Sequence, residues 1–230
     1  VALSEPDEAE ASYERALEIE PAHSDALDGL MKLAVADERF DKQLNILERK
    51  IRGAESIESK RELLWQMAEI WEEEIGDESR TVATLERIRL LLPNDLAALE
   101  WLCRLHRDLS HFEPLVEILQ HWSEIVTEPE ELVPLYRELG TVSERKLDSP
   151  NDAIGWLEKL IEIAPRDVDG WEQLAALYEQ TGRYGELLKL LEHQLTYAQG
   201  ADEEVGIHRR RAEISETQLS NLPGAAESLR

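Results

Sequence analysis

Apolar residues recur at helical spacing between residues 166 and 192, where the pattern along the chain is clearest. Positions three and four apart share one face of a helix, so a first helix here has the packing positions Trp171, Leu174, Ala175 and Tyr178. A second apolar stripe follows, with the packing positions Leu187, Leu188 and Leu191. Between the stripes lies Gly182, which can adopt the positive φ that closes a helix. The stretch therefore predicts a hairpin of two helices.

The same succession of apolar stripes and breaks continues through the whole chain. Besides the two helices of 166–192, the pattern predicts helices at about 5–20, 24–36, 40–51, 58–75, 78–92, 96–109, 112–126, 130–147, 151–164 and 202–219, and a truncated one from Pro223. Proline or glycine marks most of the joints, as expected at helix ends. Alternation of apolar and polar residues typical of a strand is absent from the sequence. We therefore expect an all-α protein of about thirteen helices.

Marker residues recur at a fixed interval of 72 residues. The interval separates the members of four series: Pro21, Pro93 and Pro165; Phe40, Phe112 and Tyr184; Met67, Leu139 and Arg211; and Ala9, Thr81, Ala153 and Ala225. The building block is thus a pair of hairpins, one of about 34 and one of about 38 residues, with the extra residues in the helices or joint of the longer one. Arg211 departs from its apolar counterparts, so the last hairpin is loosely packed or this site is exposed.

The W-x2-L-[small]-x2-Y spacing, the hairpins and the unit of about 34 residues resemble the tetratricopeptide repeat family. The resemblance implies that residues 1–230 form a single right-handed α-solenoid segment of stacked antiparallel hairpins. The stretches 72–95 and 144–167 are similar to long repeat arrays of bacterial, especially myxobacterial, proteins. The chain starts at Val1 without a methionine and stops at Arg230 inside a helical pattern, so we expect it to be cut from a longer protein.

In this family, the first helix of each hairpin lines a concave groove where peptides or partner domains bind. When the repeat register of the family is applied to this chain, ten positions become candidates for lining the groove. They are Asp28, Lys32, Trp65, Glu69, Glu72, Glu100, Arg104, Arg137, Glu172 and Arg209. The resemblance thus implies an acidic, mixed groove in which Trp65 is a candidate aromatic anchor and Trp101 a second one. The alternative is a solvated helix face on which a neighbour covers Trp65.

The charge balance limits the kind of partner. The net charge is −25 and the isoelectric point is near 4.6, which argues against nucleic acids and anionic membranes because phosphate binding needs clustered Lys and Arg. The family also includes clamps for acidic peptides, but Asp28, Glu100 and Glu172 occupy the matching inner positions and would repel such a ligand. A basic or apolar peptide fits better. The alternative is that the acidic surface only keeps the protein soluble.

The sequence contains no phosphate-binding loop, metal-binding cysteine pair or nucleophile elbow, so we expect no catalysis, cofactor or metal site. We interpret Cys103, the only cysteine, and His106 as packing residues. Residues 72–74 are three glutamates that form an outer face more readily than a cation site, and the basic run 208–211 is interpreted as surface rather than a nucleic-acid site. No apolar run reaches the length of a membrane span and no leader opens the chain, so we expect a cytoplasmic location.

Together these patterns predict a non-enzymatic scaffold that binds a protein or peptide in its groove. Two alternatives remain open at this stage. The repeats could space or oligomerise other domains, or they could recruit substrates for an enzyme elsewhere in a longer protein.

Overall fold

The computed structural model describes residues 5–217, and within this range the chain forms twelve α-helices and no strand. The helices are α1 (Glu5–Ile19), α2 (Ser24–Ala36), α3 (Phe40–Gly53), α4 (Ile57–Glu69), α5 (Glu78–Leu91), α6 (Leu96–Asp108), α7 (Phe112–Ile125), α8 (Pro129–Arg145), α9 (Pro150–Ile163), α10 (Val168–Gln180), α11 (Tyr184–Leu195) and α12 (Ala201–Thr217). The predicted all-α class is confirmed. The thirteenth predicted helix, from Pro223, and the marker Ala225 lie outside the described residues.

The chain divides into two compact units, Val1–Ser110 and His111–Arg230. The first unit contains α1 to α6 and the second contains α7 to α12. Within each unit, every helix packs against the helix that precedes it and the one that follows it in the chain. This order is that of stacked antiparallel hairpins, since short joints connect helices that lie side by side. The single solenoid segment over 1–230 stays a prediction, as does the hairpin of α6 with α7.

The first unit has two layers of helices. Polar side chains connect α1 to α3, and Arg87 of α5 donates to Glu48 of α3 at 3.0 and 3.2 Å. On the other side, Arg61 of α4 donates to Asp95, which caps α6. The second helices α1, α3 and α5 are therefore neighbours in one layer, and the first helices α4 and α6 are neighbours in the other.

The second unit repeats the two layers. Gln173 of α10 donates to Glu144 of α8 at 2.6 Å, and Arg210 of α12 donates to Glu179 of α10 at 2.8 Å. Arg183, at the start of α11, donates to a residue in the first turn of α9. The first helices α8, α10 and α12 are thus neighbours in one layer, while α9 and α11 are neighbours in the other.

Apolar side chains fill the space between the layers. In the second unit, the buried stripe of α10 packs among leucines and isoleucines of α9, α11 and α12, and its predicted packing residues Trp171, Leu174, Ala175 and Tyr178 are all buried. In the first unit, Cys103 and His106 are buried on α6, as predicted for packing residues. Burial of one leucine side chain contributes about 1.5–3 kcal/mol, so each hairpin depends on its neighbours for most of its stability.

Three short joints between consecutive helices share one backbone geometry. Glu38, Ser110 and Gly182 have φ values of 52°, 57° and 70°, and these positions recur at the 72-residue interval. After two of them the same bond closes the helix, because the amides of Arg39 and Arg183 each donate at 2.8 Å to a carbonyl five residues earlier. The positive φ predicted at Gly182 is confirmed. Only this joint of the three has glycine, the residue that adopts the left-handed region without strain.

The end of α4 differs from the prediction of one continuous helix over 58–75. After Glu69 the chain winds more widely and forms a π-helical segment, Ile70–Ile75, which ends at Gly76 with a φ of 73°. The amide of Asp77 then donates to the carbonyl of Trp71 at 2.8 Å. At the equivalent joint after α8, Ser149 donates to a carbonyl six residues earlier at the same distance. The prediction missed the segment because the apolar stripe continues across it.

Two glycine substitutions with opposite expected effects on the free energy of unfolding test the conformation of the joints. We expect Gly182→Ala to lower the free energy of unfolding by about 1 kcal/mol, because an alanine side chain strains the left-handed region. Gly155→Ala, in the interior of α9 with open space around its Cα, is the matched control and should raise it by about 0.5–1 kcal/mol. Urea unfolding at 25 °C measures both. A change of the same sign in the two variants would contradict the assignment.

Candidate functional site

All ten predicted groove residues lie on the first helices of hairpins or directly after one. The set comprises Asp28 and Lys32 on α2, Trp65 and Glu69 on α4, Glu72 in the π-helical segment, Glu100 and Arg104 on α6, Arg137 on α8, Glu172 on α10 and Arg209 on α12. The first seven belong to the first unit and the last three to the second. In the first unit, two of them, Glu72 and Arg104, are in direct contact.

Two tryptophans and two arginines of the first unit form a continuous row, which we call the aromatic ladder. The guanidinium carbon of Arg61 lies 4.7 Å from the ring centroid of Trp65. The Trp65 ring meets Trp101 edge to face, with 4.9 Å between centroids and 62° between planes. Arg104 lies 5.9 Å from the Trp101 ring. Cation–π and edge-to-face contacts fix both indoles while leaving them partly exposed.

A carboxylate neutralises the arginine at each end of the aromatic ladder. Arg61 donates through Nε to Asp95 at 2.6 Å and through Nη2 to its other oxygen at 3.3 Å. At the other end, Glu72 accepts from Trp101 Nε1 at 2.6 Å and from Arg104 at 2.6 and 2.7 Å. The two cations are thus balanced inside the protein, and the carboxylate of Glu72 is engaged there too.

The π-helical segment supplies one of these carboxylates. Glu72 lies in its first turn, three residues after the last residue of α4, and reaches Trp101 on α6. π-helical turns are uncommon and frequently occur at functional sites. The extra residues of the longer hairpin therefore place the Glu72 carboxylate as an acceptor against the indole of Trp101.

Other predicted residues of the first unit remain free to meet a ligand. Glu69 and Glu100 are exposed, and within residues 5–217 neither forms an ion pair. Glu69 follows Trp65 by one helical turn, and Glu100 precedes Trp101 directly. On α2, Lys32 is also exposed without an ion pair in the described part of the chain, whereas Asp28 binds Lys50 of α3. The surface beside the indoles is therefore acidic.

The second unit keeps the polar contacts of this arrangement and lacks the indoles. Gln173 and Glu144 stand 72 residues after Trp101 and Glu72, and they form the equivalent hydrogen bond at the same 2.6 Å. Asp167 caps α10 as Asp95 caps α6, and each accepts from an arginine of the preceding first helix, Arg137 in the case of Asp167. The shared contacts are therefore structural, and the tryptophans distinguish the first unit.

The remaining predicted residues lie apart from one another. Glu172 and Arg209 are exposed on α10 and α12, and within the described residues neither forms an ion pair. Sequence reasoning missed Arg61 and Asp95. Their signals were present, since Arg61 precedes Trp65 by one helical turn and Asp95 stands at a helix start two residues after Pro93.

The ion pair between Arg61 and Asp95 shifts the pKa of both side chains. The hydrogen bond from the guanidinium lowers the pKa of the Asp95 carboxyl below its ordinary value of 3.8, and the amide of Ala98 lowers it further. The same hydrogen bond raises the pKa of Arg61. Asp95 is therefore ionised at neutral pH and satisfies both the guanidinium and the start of α6.

The described residues contain no group of three or more His, Cys, Asp or Glu side chains arranged to hold a metal ion. Across the same residues, no helix combines the length and the apolar character that a membrane crossing requires.

The repeated hairpins and their shared capping contacts define a helical-repeat protein. Family models of the tetratricopeptide repeat match residues 171–203 and 1–23. In these two stretches the chain carries tetratricopeptide repeats. The repeats of this family are modules of protein–protein interaction, so the class of function is a protein-binding scaffold.

Several solved structures are similar to the chain at low identity. A crystal structure of MamA is 16% identical and aligns over 82% of this chain and 91% of its own, with a TM-score of 0.42. YrrB, described as a TPR protein with an unusual peptide-binding site, is 19% identical over 73% of this chain and 82% of its own, with a TM-score of 0.39. A tetratricopeptide repeat protein from Parabacteroides merdae is 17% identical over 95% and 82%, also with a TM-score of 0.39. No curated protein matches the chain.

The Asp95 pair gives a pH-dependent prediction. Asparagine caps a helix as well as aspartate does, so Asp95→Asn removes the ion pair and leaves the cap. We expect a loss of about 1 kcal/mol in the free energy of unfolding at pH 7, since Arg61 is about one-third exposed. A lowered carboxyl pKa stabilises the fold above the unfolded-state pKa, and that contribution disappears as pH falls through the folded-state value.

Denaturant unfolding of the parent and of Asp95→Asn at a series of pH values checks this sign. The difference between the two proteins should be constant above about pH 5 and should shrink below the ordinary carboxyl pKa of 3.8. Glu74→Gln, an exposed site in the π-helical segment, is the control and should show little difference at any pH. A difference that grew toward acid pH would contradict the assigned pair.

Proposed function

We propose that the chain is a non-enzymatic scaffold, and that the exposed side of α4 and α6 in the first unit binds a basic peptide segment of a protein partner. We call this surface the inner-helix face. The observation that carries the proposal is the aromatic ladder beside Glu69 and Glu100, two carboxylates that have no ion-pair partner within residues 5–217. Each part of that arrangement accounts for one property of the ligand.

The indoles supply the apolar part of the binding energy. Trp65 and Trp101 are held in place by each other and by the flanking arginines, so binding costs little additional side-chain entropy. Tryptophan is among the residues that contribute most at protein interfaces, because a large rigid ring excludes water from the contact. The aliphatic stem of a lysine or arginine, or a neighbouring apolar residue of the peptide, would pack against these rings.

The unpaired carboxylates favour a ligand with a positive charge. Arg61 and Arg104 are already neutralised by Asp95 and Glu72, so they offer little attraction to an acidic peptide. Glu69 has no such partner among the described residues, nor does Glu100. The net charge of −25 extends the same preference over a longer distance and increases the association rate of cations. A basic peptide therefore satisfies charges that the fold leaves open.

A selection from a random peptide library displayed on phage tests the proposal. We expect the enriched peptides to contain lysine or arginine beside an apolar residue. For such a peptide, Trp65→Ala should raise Kd by about tenfold or more, which corresponds to the loss of over 1 kcal/mol typical of a central interface residue. Glu69→Lys, an exposed change that leaves the core intact, should raise Kd by about three- to tenfold. Isothermal titration calorimetry measures each Kd.

Matched substitutions away from the inner-helix face serve as controls. Trp156→Ala removes a partly exposed tryptophan of α9, and Glu192→Lys reverses an exposed charge on α11. Both should bind the selected peptide as the parent does. If Trp65→Ala and Glu69→Lys bind like the parent while either control loses affinity, the inner-helix face is not the binding site.

A further inference from the structure

A second recess lies on the other layer of helices, in the second unit. It is a cleft of about 530 Å³ between α9 and α11, a volume typical of ligand sites, and we call it the α9–α11 cleft. Leu174 and Tyr178 of α10 line it, together with Ile161 of α9 and Leu190 of α11, all of them buried. The cleft thus has an apolar lining formed by the packing residues of three helices.

Aromatic rings line one side of the α9–α11 cleft. The His193 ring lies 5.3 Å from the buried Trp171 on one side and 5.3 Å from Tyr197 on the other, in both cases edge to face. Both His193 and Tyr197 border the cleft, and Tyr197 is 37% exposed. The contacts hold these rings in place at the surface, where a planar or cationic group could meet them.

Carboxylates dominate the charge of the α9–α11 cleft. Glu158 and Glu162 come from α9 and Glu186 comes from α11, whereas Lys189 is the one lysine or arginine among the described residues that line it. The Tyr178 hydroxyl donates to Glu158 and orients that carboxylate. Burial, and next the hydrogen bond to Glu158, raise the pKa of Tyr178 well above its ordinary value, so the hydroxyl remains a donor at physiological pH.

The first unit contains a comparable cleft of about 460 Å³, between α3 and α5, that holds arginines of the chain itself. Arg80 lies over Trp71, with 4.5 Å between its guanidinium carbon and the ring centroid. Arg87 binds both carboxylate oxygens of Glu48 at 3.0 and 3.2 Å, and its Nη1 lies 3.8 Å from the sulfur of Met67. In that cleft an aromatic ring and a carboxylate are therefore each matched by a guanidinium.

The two clefts are built from equivalent positions of a hairpin. Met67 on α4 and Trp71 in the π-helical segment that follows it are four residues apart, as Leu174 and Tyr178 are on α10, and each pair lines its cleft. Carboxylates line both clefts, and they come from α3 in the first unit and from both α9 and α11 in the second. The difference is that no arginine of the described chain lines the α9–α11 cleft.

From this difference we infer that the α9–α11 cleft binds an arginine side chain of a partner protein. The guanidinium is planar, stacks on aromatic rings and pairs with two carboxylates at once, and its aliphatic stem matches the apolar lining. An anionic ligand would be repelled, and an apolar one would bury unpaired carboxylates at a cost. A second copy of this chain is an unfavourable source because of its net charge of −25. The site is separate from the inner-helix face.

The test uses two blocked heptapeptides of glycine and serine, one with a central arginine and the other with citrulline, its neutral analogue. Each is titrated into the whole chain and followed by amide shifts in ¹⁵N NMR spectra. The arginine peptide should shift amides of α9 and α11, and the citrulline peptide should not. The double variant Glu162→Gln/Glu186→Gln should raise Kd by about tenfold, whereas Glu192→Gln, an exposed carboxylate of α11 outside the cleft, should leave it unchanged.

The inference is contradicted if the two peptides shift the same amides equally, if the double variant binds like the parent, or if the shifts fall on α4 and α6 alone. Blocked arginine amide tests the source of the cation. It should bind at least tenfold more weakly than the heptapeptide, because the polypeptide adds contacts at the rim of the cleft. Equal affinity would assign the site to a free organic cation and contradict a protein partner.

Discussion

Each helix of this protein has an apolar stripe that only its neighbours in the chain can cover. Leu27 is buried between α1 and α3, and Leu157 and Leu187 are buried against α10, in cores formed by helices that follow one another. Since none of the helices described within residues 5–217 packs back across its unit, each layer keeps one face that packing does not use. Those unused faces are where the charged and aromatic residues stand, so the same constraint produces both the fold and its candidate binding surfaces.

Polar contacts between alternate helices set the spacing on which these surfaces depend. Asp95 and Asp167 each cap a first helix and bind an arginine of the previous first helix, which holds the two helices at one distance and register. These capping contacts are thus common to both units, while the side chains on the exposed faces of the helices differ. In the first unit, Trp65 and Trp101 expose two fixed indoles. At the equivalent positions of the second unit, Arg137 and Gln173 expose only polar groups.

The helices were predictable from the sequence because their determinants are local. Apolar spacing, Pro93 and Pro165 at helix ends and Gly182 in a joint act within a few residues, and the predicted bounds agree with the described helices within a few residues. The π-helical segment after Glu69 was not predictable, since it leaves the apolar stripe intact. Groove residues could be placed on the first helices by register alone. The sequence could not show which carboxylates are free, because that depends on partners about thirty residues away, as in the pairing of Glu72 with Arg104.

The clefts between second helices are a further feature that could not be predicted from local sequence. Tyr178 was predicted as a packing residue, and it is buried, yet its hydroxyl also orients Glu158 at the edge of an open recess. That recess arises from the separation of α9 and α11, which no short stretch of sequence encodes. The chain's own arginines in the α3–α5 cleft likewise have no distinguishing local pattern. The proposed binding sites therefore depend on the spacing between repeats more than on motifs within them.

Hydrogen exchange of the Leu27→Ala variant tests whether each helix is stabilised by its neighbours in the chain. The substitution removes a buried side chain between α1 and α3 and should cost about 3 kcal/mol locally. We expect amides of α1, α2 and α3 to exchange faster in the variant, while α10 and α11 keep the protection they have in the parent. An equal increase of exchange throughout the described helices of both units would contradict it.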